Sequence, residues 1–179
     1  MAKAAIFVIE GFEEIEAIAT IDLLRRAGVE TTIVSLGPER QVVASHKTII
    51  VTDQLFKDFK PQGYDILIIP GGTIAYVNHQ GFMDLIKDQA AKGQRLAAIC
   101  AAPVVFGRLG LLKDKKAVVY PGFEKELVGA KIVNSPVVTD GLITTAKGPS
   151  LAFLFALEII RLLLSKEEAD KVKKGILLA

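Results

Sequence analysis

Three short stretches of this chain hold residue types that can do chemistry. The only cysteine, Cys100, sits in "RLAAICAAPVVF" (Arg95–Phe106), where a run of small apolar residues stops reading as a strand and starts reading as a helix. A side chain at such a step lies near the free N–H groups and partial positive charge of a helix N-terminus. A thiol there is expected to have a lowered pKa, and the thiolate is its reactive form. Read alone, the position fits a packed core thiol equally well, because free cysteine is among the most buried residue types.

The second stretch is Pro70–Gly71–Gly72, which follows an aliphatic run. A glycine pair lets the backbone turn sharply and bares its N–H groups, which can serve as oxyanion donors facing a nucleophile. By itself the pair reads as a plain turn. The third stretch is "EGFEEIEAIATIDLL" (Glu10–Leu24). Glu13 and Glu14 fall in a first helical turn, where acids complement the helix dipole and need no functional account. Glu16 differs, because Ile15, Ala17, Ile18, Ala19, Ile21, Leu23 and Leu24 make the helix apolar nearly all round. Burial among them would raise its pKa, leaving it protonated near neutrality and able to donate a hydrogen bond to an anion. The alternative is a surface carboxylate paired with Arg25 or Arg26.

Other chemistries find less support. The two histidines, His46 and His79, lie in loops away from the strand ends and read as surface residues. With one cysteine and no cysteine pair, a zinc site is not expected. No GxGxxG follows the first strand and the glycine pair is too short for a phosphate loop, so nucleotide binding is unsupported.

The elements that must position these residues can be read from the pattern. Aliphatic runs recur at Ala4–Ile9, Glu30–Leu36, Thr48–Thr52, Tyr64–Pro70, Arg95–Cys100, Ala117–Tyr120 and Leu142–Ala146. The runs at 4–9, 65–69 and 96–99 are apolar on both sides, as in a parallel sheet covered by helices. Helical patterns span Glu13–Ala27, Phe82–Ala91, Ala102–Leu109, Pro149–Leu164 and Lys166–Lys174, several ending at glycine. The segment Gln41–Thr52 reads as a hairpin at a sheet edge, turning at Ser45–Lys47. Alternating strands and helices predict a doubly wound α/β sheet in one domain, residues 1–179. Ligands of such sheets gather outside the carboxyl ends of the strands. Glu16, the glycine pair and Cys100 all fall at that end.

Composition narrows the classes further. The chain has 179 residues, 51% of them hydrophobic, and 22 basic against 20 acidic side chains give a net charge of +2. No basic face for nucleic acid follows from that balance, and tryptophan is absent. No segment reaches the about 20 apolar residues of a membrane span, since Glu158 and Arg161 interrupt the best one. A single cysteine favours a reducing compartment, so a cytoplasmic protein is expected. The apolar helix Glu13–Ala27 needs cover on two sides, the sheet on one and a second helix or subunit on the other, which predicts a homodimer.

"GFEEIEAIATIDLLRRAG", "YDILIIPGGT", "AAICAAP" and "TTAKGPSLAFLFAL" occur in an order and spacing that resembles the DJ-one/ThiJ/PfpI superfamily, in the branch of the Parkinsonism-associated protein and bacterial YajL. The resemblance covers nearly the whole chain. It implies a flavodoxin-like fold and a homodimer. It matches Cys100 to the family's reactive cysteine, Glu16 to the protonated glutamate that hydrogen-bonds it, and the amides of Gly72 and Ala101 to oxyanion donors. The activities it implies are a cofactor-independent glyoxalase that turns methylglyoxal into lactate, a deglycase acting on glycated groups, and a redox-regulated chaperone whose cysteine oxidises to a sulfinate.

The chain departs from the family pattern in places. Tyr120 stands where the Parkinsonism-associated protein has a histidine, which argues for slow turnover. Ala101 stands where the superfamily's proteases have histidine, which disfavours a peptidase. An amidotransferase-like hydrolase would want a histidine after His79, and none occurs. Gly148–Pro149–Ser150 and His46 also alter the expected pocket rim.

Overall fold

The computed structural model describes residues 1–179. In chain order the elements are β1 (Lys3–Val8), α1 (Glu14–Arg26), β2 (Glu30–Ser35), β3 (Gln41–Val43), β4 (Ile49–Val51), β5 (Gln54–Leu55), β6 (Ile66–Ile69), α2 (Gln80–Ala91), β7 (Arg95–Ile99), α3 (Pro103–Arg108), β8 (Lys116–Ala117), β9 (Lys131–Ile132), β10 (Val137–Asp140), β11 (Ile143–Ala146), α4 (Ala152–Leu163) and α5 (Lys166–Gly175). Seven strands form the main sheet in the order β10-β11-β7-β6-β1-β2-β5. All neighbours run parallel except β10 against β11. Counted along the chain, the five central parallel strands lie second, first, third, fourth, fifth. That is the flavodoxin-like order, with its switch point between β1 and β6.

The two-sided apolar strands explain the layers. On β1, Ala4, Ile6 and Val8 face a core shared with α1, α4 and α5, through Ala17, Leu23, Phe155, Ile159 and Val172. Ala5 and Phe7 face the opposite core, filled from α2 and α3 by Phe82, Ile86, Val104 and Phe106. Ile6 and Phe7 are both fully buried, each contributing about 1.5–3 kcal/mol by removal from water. Helices on both faces leave the carboxyl strand ends as the open edge of the molecule.

Three expectations from the sequence are corrected. The run Ala117–Tyr120 is not a strand of the main sheet. Only Lys116–Ala117 pairs, with β9, while the amide of Val118 donates to Thr145 Oγ1 at 3.0 Å and that of Tyr120 to Cys100 O at 2.8 Å. Those bonds tie the segment to the site rather than to a ladder. The hairpin exists as β3–β4 but forms its own sheet, and β5 closes the main edge instead. The run from Pro149 opens as a 3-10 turn, Pro149–Leu151, before α4 begins. Helix α1 packs along α4, as expected of a helix that needs cover beyond the sheet, and part of its apolar surface stays open within the chain. Ile15 is 51% and Ile18 44% exposed.

Candidate active site

The carboxyl ends of β1, β6 and β7 bring the three sequence motifs together. Cys100 follows β7 directly, with φ of 65°, in the left-handed region where a side chain is strained. Its neighbours over-determine that conformation. The Cys100 amide donates to Ala146 O at 2.9 Å, and its carbonyl accepts from Tyr120. The result is a strained turn that lifts the thiol toward the strand ends, as in a nucleophile elbow.

Glu16 reaches the thiol from the other side of the glycine turn. The turn and the helix start are cross-linked twice: the amide of Glu13 donates to Gly71 O at 2.9 Å, and the amide of Gly71 donates to Glu16 Oε2 at 2.7 Å. Glu13 also caps α1, its Oε2 accepting the Glu16 amide at 2.8 Å. Glu16 is fully buried, and its second oxygen, Oε1, has no hydrogen-bond partner. Gly71 leaves no room between the two groups. A Cβ on it would lie 2.5 Å from Cys100 Cβ and 2.8 Å from Glu16 Oε2. Gly72, at φ 88°, makes the sharp turn that aims its amide at the thiol, and Ala101 aims a second amide there. Neither of those amides donates to a backbone carbonyl.

The electrostatics follow from this geometry. Burial pushes the Glu16 carboxyl up to about 7, against the lowering hydrogen bond from Gly71. The thiol does not behave as the sequence suggested. Helix α3 starts only at Pro103, so Ala101 and Ala102 separate Cys100 from it. Burial and the charge of Glu16 push the thiol up to about 12, while the amides of Gly72 and Ala101 pull it down. No hydrogen bond of ordinary geometry joins the two side chains, yet each perturbs the other's proton. Both contributions of Glu16 belong to its ionised form. When Glu16 holds the proton they vanish, but burial, the largest cause, still holds the thiol up against the two amides. Near neutral pH the thiol therefore keeps its proton, and Glu16 is the group of the pair that titrates.

A cleft of about 480 Å³ opens over the thiol, walled by Glu13, Gly72, Ala101, Ser45, His46 and Tyr120 among others. A larger one, about 570 Å³, lies at the opposite strand ends around Met1, Asp65 and Arg95 and is lined by none of Glu16, Gly71, Gly72 and Cys100. At the cleft's lip, Glu14 accepts from the His46 amide at 2.6 Å and from Ser45 Oγ at 2.9 Å, and its Oε2 lies 3.0 Å from His46 Nδ1. Burial raises the Glu14 carboxyl, but the hydrogen bonds from His46 and Ser45 outweigh it and bring it down to about 2. The same contact raises His46. Glu13, Glu14 and His46 have ligand atoms within 4.8 Å of one another, the one arrangement here whose geometry could take a cation. Sequence reading gave these acids only a dipole role and set His46 apart. Their convergence depends on the β3–β4 hairpin folding over α1. His79 instead caps α2, accepting from the Phe82 amide at 3.1 Å, and packs edge-on against Phe56.

Comparison with known proteins gives a consistent result. The model of the DJ-1/PfpI family matches residues 2–162. The chain is 34% identical over 174 residues to "Protein DJ-1 homolog B" of Arabidopsis thaliana, covering 95% of this chain but only 40% of that protein. It is 34% identical over 184 residues to "Glutathione-independent glyoxalase DJR-1.2" of Caenorhabditis elegans, covering 99% and 97% of the two chains. Among solved structures it superposes on "Toxoplasma gondii DJ-1, oxidized" with a TM-score of 0.94 at 34% identity, covering 100% of both.

Proposed function

This chain belongs to the DJ-1/PfpI family, and on that premise we propose that it is a cofactor-independent glyoxalase of small dicarbonyls, with Cys100 as nucleophile and Glu16 as proton shuttle. The observation that carries the reading is a strained thiol set beside a fully buried carboxyl whose Oε1 has no hydrogen-bond partner. A relative named as a glyoxalase supports it.

The chemistry can be followed atom by atom for methylglyoxal. Ionised Glu16 takes the proton of the thiol as the Cys100 sulfur adds to the aldehyde carbon and forms a C–S bond. The amides of Gly72 and Ala101 hold the resulting oxyanion, which takes the proton of Glu16. The Glu16 carboxylate then removes the hydrogen from the same carbon and returns it to the neighbouring carbon, while the hydroxyl proton passes to the neighbouring oxygen, converting hemithioacetal to thioester. Water cleaves the thioester, releasing lactate and the thiol. Glycated groups that expose the same carbonyl chemistry are further substrates of this reading. Tyr120 offers no imidazole to share the proton transfers, so turnover is slow.

A second reading rests on the same pocket. Peroxide would oxidise Cys100 stepwise to a sulfinate, whose oxygens could accept from Gly72, Ala101 and a protonated Glu16. That reading describes a redox sensor without turnover. Lactate formation from methylglyoxal by the wild type, absent in Cys100→Ser, separates the two. A wild type that makes no lactate leaves only the sensor.

The catalytic unit in this proposal is a homodimer. Ile15 and Ile18 on α1, and Phe153 and Leu154 on the neighbouring α4, are each 39–51% exposed. Apolar side chains left open on two packed helices suit a self-complementary interface. No helix is long and apolar enough to cross a membrane.

A further inference from the structure

The carboxylate of Glu13 has work to do beyond capping a helix. It is 7% exposed and stands in the wall of the cleft that holds Cys100. One of its oxygens, Oε2, accepts the Glu16 amide, and no other hydrogen bond or ion pair reaches the group. The only cationic side chain in the cleft wall is His46, and its ring is already held against Glu14 at 3.0 Å. The cleft thus carries one uncompensated negative charge beside the nucleophile. Its field is felt by both neighbours, pushing up Glu16 and His46 in addition to their larger causes.

We propose that Glu13 is a specificity-determining residue that excludes carboxylate-bearing carbonyl compounds from Cys100, so that the site takes small uncharged aldehydes and not α-oxo acids. Two amides aimed at the thiol favour negative charge at the reacting oxygen alone. A carboxylate attached to the reacting carbon must sit elsewhere in the same cleft, within the field of the Glu13 carboxylate in its wall. Repulsion of two unit charges a few ångström apart costs about fourfold in rate even at a water-like dielectric, and more in a partly buried cleft. The proposal rests on the reading of Cys100 as the nucleophile, but its test does not require turnover.

The test is alkylation of Cys100 by neutral iodoacetamide and by anionic iodoacetate, followed by intact-protein mass spectrometry. The ratio of the two rates cancels the intrinsic reactivity of the thiol, and 2-mercaptoethanol supplies the ratio without a protein. In the wild type the preference for iodoacetamide should exceed that reference by about fourfold or more. Glu13→Gln, which keeps the capping oxygen, should bring it back toward the reference. Without any variant, added salt should speed wild-type labelling by iodoacetate more than it speeds the free thiol, because it screens Glu13. A ratio unchanged in Glu13→Gln, an iodoacetate rate no more salt-sensitive than the free thiol, or a folded wild type that iodoacetamide does not label would each overturn the proposal. Charge selection without lactate formation would instead overturn the glyoxalase reading and leave this one standing.

Discussion

The amide of Gly71 donates to Glu16 Oε2 at 2.7 Å, and Gly71 is also the residue that separates Glu16 from Cys100. Its φ is not in the left-handed region, so the backbone would accept any side chain. Space is what demands glycine. A Cβ there would lie 2.5 Å from Cys100 Cβ, 2.8 Å from Glu16 Oε2 and 2.9 Å from Ile99 O. Gly71→Ala should therefore destabilise the fold by about 1–3 kcal/mol through overpacking. It should also abolish reactivity of the thiol by forcing the pair apart. Urea unfolding and iodoacetamide labelling check both effects. A variant as stable and as reactive as the wild type would show that the turn has slack.

Glu16 should make stability fall with pH. Its carboxyl titrates at about 7 in the folded chain against 4.5 unfolded. Between those values the folded protein holds a proton that the unfolded chain has lost, so stability is full below about 4.5 and declines as pH rises toward 7. The decline is worth up to about 3 kcal/mol. Glu14 acts in the other window: lowered to about 2, it contributes above 4.5 and is lost only in acid. His46, raised by Glu14, also contributes below 6.5 and fades as pH rises, so the variant Glu16→Gln is needed to isolate the glutamate. That variant should remove most of the slope between about pH 5 and 7. An unchanged slope would place the buried carboxyl's charge elsewhere.

The pair His46 and Glu14 has its own signature. The imidazole lies 3.0 Å from Glu14 Oε2, and that hydrogen bond followed by the carboxylate charge raises it above the ordinary 6.5. Followed by NMR, His46 should titrate above 6.5 in the wild type and fall back toward it in Glu14→Gln. No change in the variant would mean that the hairpin tip is not docked on α1 in solution.

Exposure of Ile15 and Ile18 on α1 predicts association. Light scattering should give twice 19.3 kDa at micromolar concentration, and Ile18→Glu should give the single-chain mass, since a charge cannot be buried unpaired in a two-fold interface. A wild type that runs as one chain would leave that apolar face to another partner.

Much of the architecture was legible because it is written in local patterns. The doubly buried runs that became β1, β6 and β7 announced a parallel sheet, and the strand-end positions of Cys100 and the glycine pair announced the site. The segment Val118–Tyr120 looked like a strand because it is apolar and β-branched. Only the fold shows that its amides go to Thr145 and Cys100. The two-residue β5 and the four-residue β10 are too short for periodicity to speak. The thiol's proton affinity was misread for a related reason. A local rule about helix ends pointed down, while burial and a glutamate far away in sequence point up. Glu13 was invisible as a cleft residue because its place depends on the turn at Gly71 that it hydrogen-bonds.

The central claim is that Cys100 attacks a carbonyl and Glu16 moves the proton that completes the reaction. Incubating Glu16→Gln with methylglyoxal tests it most directly, with intact mass read for the covalent adduct and lactate assayed in the same sample. Glutamine keeps the shape and the acceptor for the Gly71 amide but cannot carry a proton. The expected result is an adduct at Cys100 with almost no lactate, while the wild type makes lactate and Cys100→Ser shows neither adduct nor lactate. Wild-type lactate formation by Glu16→Gln would contradict the account and leave Glu16 as a structural partner of the thiol.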